Sequence, residues 1–518
     1  MKNFRLTYKS TMTIALIAVV LLCLIFSCFG IAIAEGNAAK DIKVVHITDL
    51  HYYPTYLCYK QKNEDYYNSA MVSKSKLESK LIAESSSVLK KLFSDIAGDN
   101  ETLGKKNSLP DYLVVTGDLS SDGERVALID IANALRSLQN KIRAKGKENF
   151  QIFVIPGNHD ISNKNATDYS TLKGAPIEGV NRNDFAKIFA GLGYPDMSFG
   201  EAAEYYANDE FDNVNLKYLP YETESRYVPS TNSKNIKFSY MSMNDWNQEL
   251  GDGDLSYVAN CADGNTFVAI DGVVKGEIGG KVNSSVFTWL ESIKKDSLTG
   301  NIMSLTHHNV LQHFTMQEKW SKDYLFSNWE QVRDYLVQVG VKYNFSGHMH
   351  ANDIASYCNY DGYNLYDLET GSPVGYGAQY RETNISFLSD GASDLKQKLC
   401  TIMDVDLSLL LKDGYLVKNQ DISFSTGIGI DGTVKDMATY INERLYVDML
   451  DNVLNSTIQM IDRDNFANLL YGYIEKSLTK YNFIKNVIDK DSIKAVLLNL
   501  YDKIQSETLK DYIYTGDK

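Results

Sequence analysis

Short apolar runs of four to six residues recur along the chain, each followed by a polar cluster. The runs are Lys43–Thr48, Tyr112–Thr116, Ile152–Ile155, Ile302–Thr306 and Val341–Phe345. Their Val, Ile and aromatic content and their length predict buried β-strands. Between them the apolar spacing changes to about 3.6 residues, the period of an amphipathic helix. It predicts helices over Lys76–Ala97, Glu124–Ala144, Asn283–Lys295 and Asn328–Val339. Asn283 and Asn328 stand where N-caps are expected, and Gly340 is placed to stop the last helix. Strands alternating with helices predict an α/β layered fold.

The pattern changes along the second half. Phe387 to Phe424 is mixed and reads as a completion of the sheet. From Val434 to about Tyr512 the spacing is helical, carried first by Met437, Ile441, Leu445, Val447 and Leu450. The expectation is therefore a main domain over 35–430 and an all-helical carboxy-terminal domain over 431–518. Two tyrosine-rich stretches, near 52–75 and 165–280, interrupt the main domain as insertions and are expected to form lids or specificity walls. Asp252-Gly253-Asp254 lacks the later acidic ligands of a calcium loop and reads as a turn.

The polar clusters after the strands carry the chemistry. They read Asp49-Leu50-His51, Gly117-Asp118, Gly157-Asn158-His159-Asp160, His307-His308 and Gly347-His348-Met349-His350. Clusters at successive strand ends meet in one crevice. Imidazole nitrogens with carboxylate and amide oxygens suit divalent Mn, Fe or Zn, and two such ions make a hydrolytic centre. Asp118 is the natural anion between two mutually repelling cations, and Gly117 lets the backbone turn beside it. On an extended chain Asp49 and His51 point the same way, as do His348 and His350. Asn158 adds a neutral oxygen. His159 is left to meet substrate, and Asp160 is expected to fix its tautomer. His307 is preferred over His308 as a ligand, with His308 facing substrate or supporting a ligand. His46 and His313 read as ordinary histidines.

Charge and cysteines narrow the partners. Lys2, Arg5 and Lys9 precede an apolar stretch, and Ala32-Ile33-Ala34 resembles a cleavage site. Export across the cytoplasmic membrane is expected, by a signal peptide over 1–34 or by an amino-terminal anchor. Ser27-Cys28 offers a lipid-anchoring alternative. Without residues 1–34 the chain has 49 basic and 66 acidic side chains, a net −17. Such a chain is a poor partner for nucleic-acid polymers, while small phosphoesters remain compatible. The four cysteines beyond residue 34 have no Cys-x-x-Cys spacing, and their pairing stays open.

The ordered set Asp-x-His, Gly-Asp, Gly-Asn-His-Asp, His, Gly-His-x-His resembles the calcineurin-like metallophosphoesterase superfamily, from Asp41 to about Thr370. The resemblance implies a double β-sandwich flanked by helices. It implies one metal on Asp49, His51 and His350, a second on Asn158, His307 and His348, and Asp118 bridging both. It also implies that His159 assists the leaving group. An exported chain with a helical carboxy-terminal addition further resembles the class III cyclic-nucleotide phosphodiesterases. Rival activities are a nucleotidase, a sphingomyelinase-like phosphodiesterase and a phosphomonoesterase. A surface binding protein with a structural metal domain is the non-enzymatic alternative.

Overall fold

Five buried parallel strands from the apolar runs organise two facing sheets. The computed structural model describes residues 41–441 and Leu445, apart from 59–70, 72–73, 76–77, 100–108, 162, 171–173, 199–200, 203–204, 206–218, 221–226, 244–247, 388–392 and 413–431. In chain order the principal strands are β1 (Ile42–Ile47), β2 (Tyr112–Thr116), β3 (Gln151–Ile155), β4 (Ile236–Tyr240), β5 (Tyr257–Cys261) and β6 (Asn265–Ala269). They continue with β7 (Asn301–Leu305), β8 (Val341–Ser346), β9 (Asp353–Cys358), β10 (Asn364–Glu369), β11 (Gln379–Phe387) and β12 (Ser393–Thr401). One sheet runs β12-β11-β1-β2-β3 and the other β9-β10-β8-β7-β6-β5-β4.

β1, β2 and β3 are mutually parallel, as are β6, β7, β8 and β10. Antiparallel strands complete the edges. Parallel strands are normally covered on both faces, and the two apolar clusters show how. Phe267 and Ala269 of β6 join Val44, Val115 and Phe153 in the cluster between the sheets. Val268 and Ile270 point the opposite way and pack with helix residues Val286, Leu290, Val332 and Leu336. These belong to α4 (Ser284–Ser297) and α5 (Trp329–Val339), which follow α1 (Ser85–Ile96), α2 (Arg125–Ala144) and α3 (Arg182–Ile188). α1 and α2 contribute Leu89, Phe93, Leu128 and Leu135 to the larger cluster. The result is the expected α/β arrangement of two sheets flanked by helices.

Several local expectations need correction. The helix expected from Lys76 is interrupted: Glu78 is helical, Ser79 takes φ +56° and breaks the pattern, and the longer helix begins at Ser85. Asn283 and Asn328 precede their helices but make no side-chain cap. Their amides instead donate to Asp252 O and Val282 O, at 2.8 and 2.9 Å, and tie the helix starts to neighbouring loops. Gly340 does end α5, in the left-handed region at φ +87°.

The stretch near 165–280 is more than a wall around the crevice. It supplies β4, β5 and β6 to the seven-stranded sheet, and Tyr257 is fully buried, donating to Val154 O at 3.0 Å. Residues 433–436 form a strand antiparallel to 403–406 rather than the start of a helix. The short helix 437–441 follows, and Met437, Tyr440 and Ile441 join the larger apolar cluster. The remainder of the expected helical domain, like residues 1–40 and the insertion at 59–70, lies outside the described residues. Among the described residues no helix is long and apolar enough to cross a membrane. Cys58, Cys261, Cys358 and Cys400 are all free thiols.

Candidate active site

The candidate ligands sit just past the carboxyl ends of β1, β2, β3, β7 and β8, where the backbone leaves the extended conformation. Five of the nine described non-glycine residues with positive φ are Asp49, His51, Asp118, His348 and His350. Left-handed backbone costs about 1–3 kcal/mol per non-glycine residue and persists only when its surroundings enforce it. Hydrogen bonds from Asp49 N to Gly117 O (3.0 Å) and from His51 N to Asp118 O (2.9 Å) supply that enforcement. Side-chain alternation along a strand therefore does not direct these residues. In particular, His348 and His350 do not share a ligand group, contrary to the i, i+2 expectation.

Close backbone approach requires two glycines. A Cβ on Gly117 (φ +96°) would lie 2.6 Å from Gly157 N, and one on Gly157 would lie 2.1 Å from Asp118 Oδ1. Side chains at either place would push the β2 and β3 loops apart.

Two groups of ligand atoms result. Asp49, His51 and His350 form the first, and Asp118, His307 and His348 the second; within each, the ligand atoms lie within 4.8 Å of one another. In the first group His51 Nε2 and His350 Nε2 are 2.9 Å apart. Asp49 Oδ1 lies 3.3 Å from His350 Nε2 and is buried with no hydrogen-bond partner. Asn158 joins the second group, its Oδ1 3.0 Å from His307 Nε2. The Asp118 carboxylate stands between the groups. Its Oδ1 is 3.4 Å from His307 Nε2 and its Oδ2 is 3.8 Å from His51 Nε2.

Supporting hydrogen bonds set which imidazole nitrogen faces inward. His307 Nδ1 lies 2.7 Å from Thr116 O, which accepts its proton and leaves the Nε2 lone pair toward Asn158 and Asp118. His348 Nε2 lies 3.1 Å from Asp323 O, leaving Nδ1 inward. The electrostatics are polarised. Burial, reinforced by its histidine neighbours, keeps His348 well below the usual histidine range. Burial and the Lys80 cation do the same for His51. Burial also opposes charge on His307, but the Asp118 carboxylate overrides it and pushes His307 up to about 9. Burial alone would raise Asp118, yet His307 and His159 hold it well below the carboxylate range. The neutral imidazoles of His51 and His348, the ionised Asp118 and a His307 that a cation would strip of its proton fit a pair of divalent cations in donor type and number.

His159 lies on a turn, with its ring 5.0 Å from that of His51. Its partner is not Asp160. The Asp160 carboxylate turns inward and accepts from Gly157 N (2.9 Å), Leu119 N (3.1 Å) and Ser120 N (3.0 Å), pinning the β2 and β3 loops together. Burial and nearby Asp118 push Asp160 up to about 6. His159 Nδ1 instead meets Ser121 O at 2.6 Å and Asp122 Oδ1 at 3.3 Å. Burial and Lys80 oppose charge on His159, but Asp118 and Asp122 raise it overall.

The remaining histidines are structural in different ways. His46 is buried between Thr116 Oγ1 and Thr370 Oγ1, at 2.8 and 2.7 Å. His308 is fully buried and supports the 274–280 loop, its Nε2 2.9 Å from Ile278 O. His313 forms a more consequential pair, with Asp353 at 2.9 Å and buried Asp367 at 3.5 Å.

A cleft of about 800 Å³ opens over both groups, lined by Asp118, Asn158, His159, His348 and His350. It also contains Lys80, Asp122 and Tyr324, three residues that the motif reading passes over. Asp122 carries a detectable signal, being a polar turn residue four positions after Asp118. Lys80 carries none, because it falls within an apparent helical pattern.

The family model described as calcineurin-like phosphoesterase matches residues 42–352. No curated protein matches the chain. Among solved structures it is similar to the Haemophilus influenzae NAD nucleotidase, at 11% identity and TM-score 0.30, covering 80% of this chain and 63% of that one. It is also similar to the phosphopantetheinyl hydrolase of Mycobacterium tuberculosis (11% identity, TM-score 0.27), covering 65% of this chain and 91% of that one. The yellow lupin (Lupinus luteus) purple acid phosphatase PPD1 matches at 10% identity and TM-score 0.31, covering 69% of this chain and 54% of that one. The chain thus spans less than two thirds of the nucleotidase's length.

Proposed function

Given that the chain belongs to the calcineurin-like phosphoesterase family, we propose that it hydrolyses small phosphoesters with two divalent metal ions, and that phosphodiesters such as cyclic nucleotides are its substrates. The observation that carries the reading is the Asp118 carboxylate, with one oxygen toward His307 and the other toward His51. A single buried carboxylate between two histidine-rich groups suits a shared ligand. Asp49, His51 and His350 would hold one cation, Asn158, His307 and His348 the other, and Asp118 both. When bound, such cations supply Lewis acidity toward phosphoryl oxygens and lower the pKa of water.

The chain's own part in the chemistry centres on His159. Ser121 O accepts from Nδ1, so Nε2 is the nitrogen left to give a proton to a departing oxygen. The Asp122 carboxylate stabilises the imidazolium that this requires. Asp160 serves by fixing the loop that carries Asn158 and His159. Export remains our reading of residues 1–34, and a helical carboxy-terminal cap remains our reading of the segment after 441.

Hydrolysis of bis-p-nitrophenyl phosphate by the full chain with manganese, before and after chelation, tests the activity. A parallel panel of cyclic nucleotides, nucleoside monophosphates and choline phosphodiesters tests the substrate class. Absence of metal-dependent hydrolysis across the panel would overturn the reading.

A further inference from the structure

Lys80 is 4% exposed, yet it reaches the middle of the candidate active site. Its Nζ lies 3.2 Å from His51 Nδ1 and 3.5 Å from His159 Nε2. The backbone holds it there from both sides. Lys80 N donates to Ser75 O at 3.0 Å, Leu81 N donates to Val374 O at 2.9 Å, and the preceding Ser79 is left-handed at φ +56°. None of the family motifs contains this residue. It comes from the segment between β1 and α1.

A buried ammonium has three donors to satisfy. Its neighbour His51 directs Nε2 toward His350 Nε2 and Asp49. The 3.2 Å contact with His51 Nδ1 occupies at most one of the three donors. Two further contacts stand among the described neighbours. His159 Nε2 stands at 3.5 Å, the limit of a hydrogen bond. Glu78 Oε2, itself buried and with no hydrogen-bond partner, forms a long ion pair at 3.4 Å. None of these contacts is short, and the ammonium lines the cleft, where an anion can meet it directly.

We infer that Lys80 binds a non-bridging phosphoryl oxygen of the substrate, on the His51 and His159 side of the cleft. The inference rests on the phosphoester reading above. A fixed cation at this point would favour phosphoryl groups by charge and would raise affinity for inorganic phosphate, the simplest ligand with the same chemistry. Its contact with the phosphoryl group would leave His159 Nε2 available for the departing oxygen.

The test uses the full chain loaded with zinc, inorganic phosphate as the probe in calorimetry, and zinc content by elemental analysis. Lys80→Met keeps the apolar stem and removes the charge. It should retain the wild-type zinc content and weaken phosphate binding about 10- to 100-fold, the usual effect of one charged hydrogen bond. Lys80→Arg should recover most of the affinity, and KM for p-nitrophenyl phosphate should follow the same order. Unchanged phosphate affinity in Lys80→Met would overturn the inference. So would loss of zinc, which would make Lys80 a support for His51. A wild-type chain that neither binds phosphate nor hydrolyses any ester fails earlier, and defeats the phosphoester reading itself.

Discussion

Asp122 Oδ1 lies 3.3 Å from His159 Nδ1, and the same carboxylate forms an ion pair with Lys74 at 2.6 Å. A group that must carry positive charge while giving up a proton thus has an anion beside its remote nitrogen. Asp122→Asn should keep both metals and slow turnover about 10- to 100-fold. His159→Ala should cost more, about 10²–10⁴-fold. Both losses should be larger for a cyclic nucleotide, whose alkoxide needs a proton, than for a nitrophenyl ester. Equal losses on the two substrates would point to phosphate binding by His159 instead of proton donation.

Asp118→Asn should preserve the shape of the site and lose its central charge. Two cations then repel with no anion between them. The expected outcome is at most one tightly bound ion per chain by elemental analysis, with activity at background. Two retained ions in a folded variant would exclude the bridging role.

Adjacent His307 and His308 should separate cleanly. His307 faces Asn158 and Asp118, whereas His308 faces Ile278 O. His307→Ala should lose one metal ion. His308→Ala should keep both and loosen the 274–280 loop at the cleft rim, raising KM more than it lowers kcat. The opposite metal contents would place the ligand one residue later.

His313 offers a pH test away from the candidate ligands. Burial opposes its charge, but Asp353 and Asp367 push it up to about 10. A raised folded-state value means that protonation stabilises the fold. The contribution is complete below the unfolded value of about 6.5 and is lost as pH rises toward 10. His313→Gln should therefore be less stable than the natural chain at pH 6, by about 3 kcal/mol. The figure sits at the low end for a buried pair because Asp353 is half exposed. Denaturant unfolding should show the gap narrowing steadily between pH 7 and pH 10.

The strand runs were legible because five buried parallel strands are short runs rich in β-branched and aromatic residues, and each ends in its own polar cluster. β2 coincides with its expected limits, Tyr112 to Thr116, and the other four shift by only one residue at either end. The motif residues were legible as a set for the same reason. Their directions were not, because local spacing carries no sign of five left-handed backbones imposed by contacts between loops. Asp160 stood next to His159 in sequence, but sequence adjacency on a turn does not make two side chains meet. Lys80 was hidden by an apolar periodicity that Ser79 breaks with a backbone angle rather than with a glycine or proline. β4 to β6 were hidden because half-polar strands inside a tyrosine-rich stretch look like an excursion until the sheet they extend is known.

Each candidate metal group takes residues from both sheets. Asp49 and His51 leave β1 while His350 leaves β8; Asp118 and Asn158 leave β2 and β3 while His307 and His348 leave β7 and β8. Cations in these places would act as rivets through a laminate, and their retention would gauge how well the two layers are aligned. Trimming Phe267 or Phe345 in the cluster between the layers, with every ligand left intact, should then release both ions together. Such a variant would look like an active-site mutant although its lesion lies in the seam.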